Sequence, residues 1–533
     1  MVRRVVPTLV LGALVSSVLV AVPVSPAAAS TTRCVGSGAG CYATLQGAID
    51  ASAAGDTVRV TPGTYAGGVR IAKNLTLAGA GAGRSVVRGG GPVITISPTG
   101  PGTPVVDITG LTVTGGLDPG GDDGVHAAGG GLFIPPAGEG VPGATVTLRN
   151  VTVTHNRARP RSTHPADWPL VCAEGKSCRF ASAVGGGIAS SGHLTLIDSV
   201  VSSNEVGGRA TEARGGGIHS DVGSLTLRSS RVLDNRVDPV AIGRLVQGGG
   251  IYVEQSEMTL LDSSVSGNRA DMVTRWPGLA DVNTFQARAD SGGIHLGEWS
   301  TARIERSRIN DNLVTATDPV GEPRAFDSAM LADGATLEMR HSELRRNTVR
   351  VRGATTNHDS PSGQVAELDG TTEVSDTVVE GNHVSVVADR GDASAAGGLR
   401  FVNYFDFSAD LARVVVRDNT VTARSRNGSA HAQAGGLWNM GSLRITGSTF
   451  SRNMVVAKGG DATARGGGVL SERTNGDPFL LSLVGSRVER NAAVTSRGGT
   501  ASGGGLLSDG EVELRGTTIR RNVPDQCVGC TTR

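Results

Sequence analysis

An asparagine closes each of eleven similar units in this 533-residue chain: Asn156, Asn204, Asn235, Asn268, Asn312, Asn347, Asn382, Asn419, Asn453, Asn491 and Asn522. First to last spans 366 residues in ten intervals, about 37 per unit, and a period of that size marks a repeat architecture. An apolar side chain stands three positions before every one of these asparagines, and Ser or Thr stands five before nine of the eleven. Many units open on a glycine cluster, as in "GGGIASSGHLTLIDSVVSSN" at residues 185 to 204. Within a unit the apolar residues fall two apart, the spacing of strands, rather than three and four apart. Short strands of this kind cannot bury an apolar face alone, so the units must stack as coils of an all-β, parallel β-helix solenoid. The asparagines then have a structural cause. Asn tolerates left-handed turn conformations, and its amide can hydrogen-bond to the amide one coil away, about 4.8 Å per step.

Composition agrees with short strands and turns: 78 glycines against 17 aromatics, and no long helix-forming windows. Fifty basic and 49 acidic residues leave a formal charge of +1, which provides no global field for nucleic acid or an anionic membrane. Arg3 and Arg4, an apolar run from Val5 to Val22 and the small residues of "SPAAAS" predict a signal peptide over 1–29, cut after Ala29. No second apolar span follows, so a secreted, soluble chain, extracellular or bound to the cell wall, is expected. The six cysteines fall into three local pairs, Cys34 with Cys41, Cys172 with Cys178 and Cys527 with Cys530, and structural disulfides suit an exported protein. "CVGC" lacks the further nearby thiols or imidazoles that zinc requires, so no metal or cofactor is predicted.

The Gly-Gly-(Ile/Leu) start and apolar-x-x-Asn close, as in "AGGLWNMGSLRITGSTFSRN" at residues 434 to 453, resemble the polymorphic outer-membrane protein repeat and right-handed parallel β-helix proteins generally. "CYATLQGAIDASAAGDTVRVTPGTYAGGVRIAKNLTLAGAG", residues 41 to 81, is similar to the capping helix and first coils of pectin-lyase-like proteins. The resemblance implies a cap over 30–56 with one amphipathic helix at 44–54, about a dozen right-handed coils over 57–523, and a tail over 524–533 holding the last cysteine pair. It does not imply one activity, because β-helices host lyases, hydrolases, esterases, epimerases, adhesins and inert surface proteins. Of the polygalacturonase-like motifs only Asp122-Asp123 is present, and where pectinesterase-like proteins carry Gly-x-Tyr-x-Glu this chain has Gly63, Tyr65 and then Gly67. The missing motifs favour non-catalytic binding of a polysaccharide or cell-surface glycan over a polysaccharide lyase or glycoside hydrolase, with an inert structural or adhesive rod as the third reading.

Strand parity gives a candidate surface. The residue after each glycine cluster is apolar, for example Ile218, Ile251, Ile294, Leu331 and Leu399, with Ala366 in one coil, and must face the core. The next position is then expected to face solvent: Phe133, Ala189, His219, Tyr252, His295, Ala332, Glu367, Arg400, Trp438, Leu470 and Leu507. His219, Tyr252 and His295 would stand in a row, with Asp221 and Glu254 two residues further along and Glu298 and Trp299 just beyond the third strand. Neighbouring coils put Asp221 and Glu254 near the roughly 5 Å of paired glycosidase carboxylates, with imidazoles and a phenol in reach of proton transfer. His219, Asp221, Tyr252, Glu254 and His295 are therefore the catalytic candidates. His219, Tyr252, His295, Trp299, Arg400 and Trp438 are the glycan-binding candidates, the last two for charge pairing and stacking. The segments between each asparagine and the next glycine cluster are expected to be loops on one side of the rod; the longest, 157–184 and 269–291, carry Trp168 and Trp276.

Overall fold

The computed structural model describes residues 30–98, 102–121, 126–161, 181–239, 245–273, 288–356, 362–402, 409–472, 479–496 and 498–530. The predicted signal peptide, Asp122, Asp123, Trp168, Cys172, Cys178 and Trp276 lie outside the described residues.

The chain is an all-β, right-handed parallel β-helix solenoid with a single short helix among the described residues. Its strands form four parallel sheets, here called A to D, of 27, 14, 11 and 11 strands. One coil shows the order: Ile218–Arg228 in A, Arg231–Leu233 in B, Arg236–Pro239 in C, Leu245–Gln247 in D, then Gly248–Gly250 and back to A at Ile251. Sheets A and B enclose the main core, where like stacks on like: Leu225 on Met258 and Leu227 on Leu260 in A, and Val232 on Val265 in B. The apolar residue three before each asparagine is the inward residue of sheet B, which is why no unit omits it.

The eleven asparagines form one continuous ladder. Asn204 Nδ2 donates to Asn235 Oδ1 at 3.0 Å, Asn235 to Asn268 at 3.0 Å, and every step from Asn156 to Asn522 repeats the bond. The second Nδ2 hydrogen goes to a sheet B carbonyl of the preceding coil, as from Asn235 to Val201 at 3.0 Å. The Oδ1 also accepts from the backbone N–H of the preceding asparagine, as from Asn204 N to Asn235 Oδ1 at 3.0 Å. Each interior amide is thereby saturated in a site that excludes water. The left-handed conformation predicted for the asparagines belongs to the residue before each of them: His155, Ser203 and Asp234 have φ of 56°, 55° and 54°, and the other eight follow suit. The turn swings the chain around the corner, and the asparagine after it points inward. A parallel ladder runs through the Ser/Thr position, Ser199 N donating to Ser230 Oγ and Ser230 N to Ser263 Oγ, each at 3.1 Å.

The glycine clusters obey the same constraint. A Cβ on Gly217 would lie 2.8 Å from Asn235 Nδ2 and 2.7 Å from Gly250 O, and one on Gly187 2.8 Å from Asn204 Nδ2. These glycines answer a close approach of backbone to the asparagine column.

The described parts of the inter-unit segments are strands rather than loops, while 162–180 and 274–287 of the two longest lie outside the described residues. From Leu117 onward they form sheets C and D, two parallel sheets packed face to face on a second core of Ala and Val, including Ala183, Val206, Ala213, Val237 and Val246. Small side chains let the two sheets approach closely, so each coil carries a fin beside its main core. The first two coils lack it, because sheet B already runs through Gly63–Ala66 and Ser85–Arg88 before sheets C and D begin.

The ends are closed differently. Helix α1 covers Leu45–Ala51, shorter than the 44–54 expected, because Ala53 to Gly55 turn into the first coil. Thr44 caps it by accepting from Gly47 N at 3.1 Å, and Leu45, Ala48 and Ile49 plug the core. A strand at Thr32–Val35 already pairs with sheet A, and a disulfide joins Cys34 to Cys41. At the other end Gln526 Oε1 accepts from Asn522 Nδ2 at 3.2 Å and terminates the ladder. The expected tail adds one more strand, Cys527–Val528, and a disulfide joins Cys527 to Cys530.

Replacing a mid-ladder asparagine orphans buried donors of the preceding asparagine and takes one donor from the following one. Asn312→Ala strips Asn268 N and Nδ2 of their shared acceptor and removes the Nδ2 donor to Val265 O, a loss of about 2–5 kcal/mol in urea unfolding. Asn522→Ala, in the last coil where fraying is already cheap, is expected to cost less. Equal, small effects at both positions would contradict the ladder's role.

Candidate functional site

The structure brings the predicted row together and closes it off. His219, Tyr252 and His295 occupy paired positions on consecutive coils, with rings stacked at 5.2 Å and 4.8 Å between centroids. They were expected to face solvent, yet they are only 9%, 3% and 2% exposed. The cause is sheet D, whose outward side chains lie over this face of sheet A. The Arg214 guanidinium sits 5.2 Å above the Tyr252 ring, and Gln247 Nε2 lies 3.4 Å from His295 Nε2. Burial, with help from Arg214 at both rings and from Arg288 at His295, pushes both imidazoles down to about 3, so they stay neutral. Burial also raises the Tyr252 phenol. None of the three rings is placed to meet a polymer in solution.

The same seam absorbs the more distant candidates. Arg400 pairs with Glu367 at 2.8 Å and lies 4.8 Å over the Trp438 ring. Trp438 is 5% exposed, packs with Ala434, Leu470 and Leu507, and donates from Nε1 to Glu472 at 3.2 Å. One position is also misassigned by parity. Met330 pairs with Ile294 and Leu331 with His295, so Leu331 takes the outward place and Ala332 faces the core. This coil has no glycine cluster from which to count, since Asp327, Ser328 and Ala329 stand there.

Accessible chemistry survives at the corner beyond the row. Asp221 and Glu254 are paired one coil apart and half-buried. Tyr252 donates its hydroxyl to Glu254 Oε2 at 2.9 Å, and Arg214 Nη1 lies 3.8 Å from the same oxygen. Burial, then the neighbouring Glu254 charge, raises the Asp221 carboxyl. Past the third strand, Glu298 is exposed and Trp299 is 77% exposed. Pairing fixes Leu296 to Val253 and Thr301 to Glu257, so this coil fits one extra residue into the corner that its neighbour turns without it. Trp299 sits in that bulge with φ of 61°, a conformation that costs a bulky residue roughly 1–2 kcal/mol and that its exposed ring does not recover by burial.

A second polar cluster went unread in the sequence. Ser291, Asp327 and Gln364 replace the left-handed glycine in three consecutive coils, with φ of 57°, 58° and 60°. Asp290 is buried and paired with Arg288 at 2.8 Å, while Asp327 is 1% exposed and neither of its carboxylate oxygens has a hydrogen-bond partner among the described residues. With Asp327 itself, Glu367 and Asp290 make three carboxylates that face two guanidiniums, Arg288 and Arg400. The signal available in the sequence was the break in the glycine pattern at "AFDSAML" and "SGQVAEL". No group of His, Cys, Asp and Glu among the described residues is arranged to hold a metal ion.

Burial, and then the charges of Glu367 and Asp290, raise the Asp327 carboxyl well above the usual range. A raised carboxyl favours the folded state below the unfolded value near 4 and loses that contribution as pH climbs through the folded value. Stability should therefore fall from pH 4 towards pH 8. Asp327→Asn keeps the turn and removes the charge, and is expected to flatten the decline and gain about 1 kcal/mol or more at pH 8. An unchanged pH profile in urea melts would contradict the assignment.

No protein-family model matches the chain, so the polymorphic outer-membrane protein part of the resemblance finds no support, and no curated protein matches it. Solved structures do share the coiling. The A-module of the mannuronan C-5 epimerase AlgE6 from Azotobacter vinelandii is 16% identical, covering 90% of this chain and 95% of that one, with a TM-score of 0.27. The periplasmic alginate epimerase AlgG is 8% identical over 87% and 84% of the two chains, with a TM-score of 0.29. A pectin methylesterase in complex with a hexasaccharide is 13% identical over 51% and 78%, with a TM-score of 0.23. Likeness at these levels extends to the parallel β-helix and carries nothing about activity.

Proposed function

We propose that the protein is a secreted glycan-binding β-helix whose contact surface is the corner of Trp299, Glu298, Glu254 and Asp221. The observation that carries this reading is Trp299 itself, an exposed indole held in a strained one-residue bulge. An indole face suits the C–H face of a sugar ring, and carboxylates around it accept hydrogen bonds from sugar hydroxyls. The negative charge of the three acids favours a neutral glycan at this corner. Binding is favoured over catalysis because both imidazoles of the expected acid–base set are buried and neutral. Disulfides at both ends suit an exported chain.

One observation favours an enzyme instead: Asp221 has a raised carboxyl beside Glu254, a pairing able to act as acid and base on a glycosidic bond. On a glycan array, Trp299→Ala should weaken binding about tenfold, which is roughly 1.4 kcal/mol, and leave the melting curve unchanged. Undiminished binding by that variant sinks the platform. Release of reducing ends or unsaturated products by the wild type, abolished in Glu254→Gln, would move the assignment to the enzyme. Absence of both binding and products would leave a structural rod.

A further inference from the structure

The fin holds a feature separate from the Trp299 corner. Residues 157 to 161 read "RARPR", and strand alternation sends Arg157, Arg159 and Arg161 to the outer face of sheet C while Ala158 enters the fin core. In the next coil Val206 pairs with Ala158, which places Gly207 beside Arg159. The coil after that carries Asp238 opposite Gly207. Gly208, which lacks a side chain, borders an open cleft of about 400 Å³, lined also by Leu117, Pro119, Pro160 and four arginines, Arg157, Arg159, Arg161 and Arg209. That volume falls within the range of small-ligand sites. Gly208 has φ of 74°, and a Cβ there would meet the Arg159 Cβ at 3.2 Å, so the opening depends on a glycine.

The charges do not balance. Glu205 is ion-paired with Arg157 at 3.6 Å and with Arg159, while neither Arg161 nor Arg209 has an ion-pair partner among the described residues. Sheet C matches its arginines elsewhere: Arg236 pairs with Asp238 and Asp271 at 2.8 and 2.9 Å, and Arg269 with Asp271 at 3.3 Å. In a chain of formal charge +1, four guanidiniums against one carboxylate around a cavity is a local excess.

We infer that this cavity is a binding site for a tetrahedral oxyanion, a phosphate or sulfate ester carried on a small organic group. A carboxylate is satisfied by a single guanidinium fork, whereas a phosphoryl or sulfo group offers three free oxygens to forks arriving from two coils. Leu117, Pro119 and Pro160 form the apolar wall against which the ester's carbon skeleton packs. The site is independent of the proposed glycan corner, and Trp299→Ala leaves it intact.

The test is calorimetric titration of the full chain with glucose 6-phosphate, glucose 6-sulfate, galacturonate, glucose, sodium phosphate and sodium sulfate. The variants are Arg161→Gln/Arg209→Gln and, as a control of equal charge change, Arg228→Gln/Arg231→Gln on exposed strand positions of sheets A and B. One or both esters should bind, roughly tenfold or more weaker in the first variant and unchanged in the control. Preference between the esters then identifies the phosphate or the sulfate source. Galacturonate binding as tightly as the esters overturns the tetrahedral assignment. Heat with the inorganic salts alone means an adventitious ion only and overturns the site, as does the absence of binding or an equal loss in both variants.

Discussion

Every interior amide in the asparagine column gives two hydrogen bonds and accepts two, and both partners on the column are amides like itself. That arrangement dictates the chain around it. The residue before each asparagine must enter the left-handed region to aim the side chain inward, and in most coils the backbone returning from the fin comes so close to the amide that glycine is used there. The strain of nine left-handed turns at non-glycine residues is offset by a ladder that leaves none of its own amides unsatisfied. Two parts of the repeat that look unrelated in the sequence, the glycines at its start and the asparagine at its end, are the two sides of one contact.

This explains which parts of the molecule could be read beforehand. The sheet B column and the ladder impose one residue type at one place in every unit, so they stand out in the sequence. Sheets C and D were mistaken for loops because their core accepts any small apolar side chain. Ala158, Val206 and Val237 alternate over only two or three positions, and the turns between the two sheets vary in length. The outward row was located correctly at His219, Tyr252 and His295, but its exposure depends on what lies above it. Parity within one strand cannot report that a second sheet folds back on the face it predicts to be open. Ala332 failed for a simpler reason, since counting from a glycine cluster needs a cluster to count from.

The seam between fin and main coil therefore has a different character from the one the sequence suggested. It is a polar interior, with stacked rings under Arg214, the Arg288–Asp290 and Arg400–Glu367 pairs, and the buried carboxyl of Asp327. Such interiors fix how two layers meet more than they add stability. Accessible chemistry is displaced to the edges: the Trp299 bulge where sheet A turns its corner, and the arginine cleft that Gly208 borders.

Successive asparagines lie as few as 31 and as many as 48 residues apart, yet each step of the ladder is the same bond, 2.8 to 3.1 Å long. The molecule measures its coils in hydrogen bonds rather than in residues. Extra chain falls between the strands, as the added residue at the Trp299 corner does, and leaves the bond from one amide to the next unchanged. A whole coil is therefore the natural unit by which such a rod can lengthen or shorten. Removing the stretch from one asparagine to the next brings two equivalent amides together, whereas a cut of any other size leaves one facing the wrong atom.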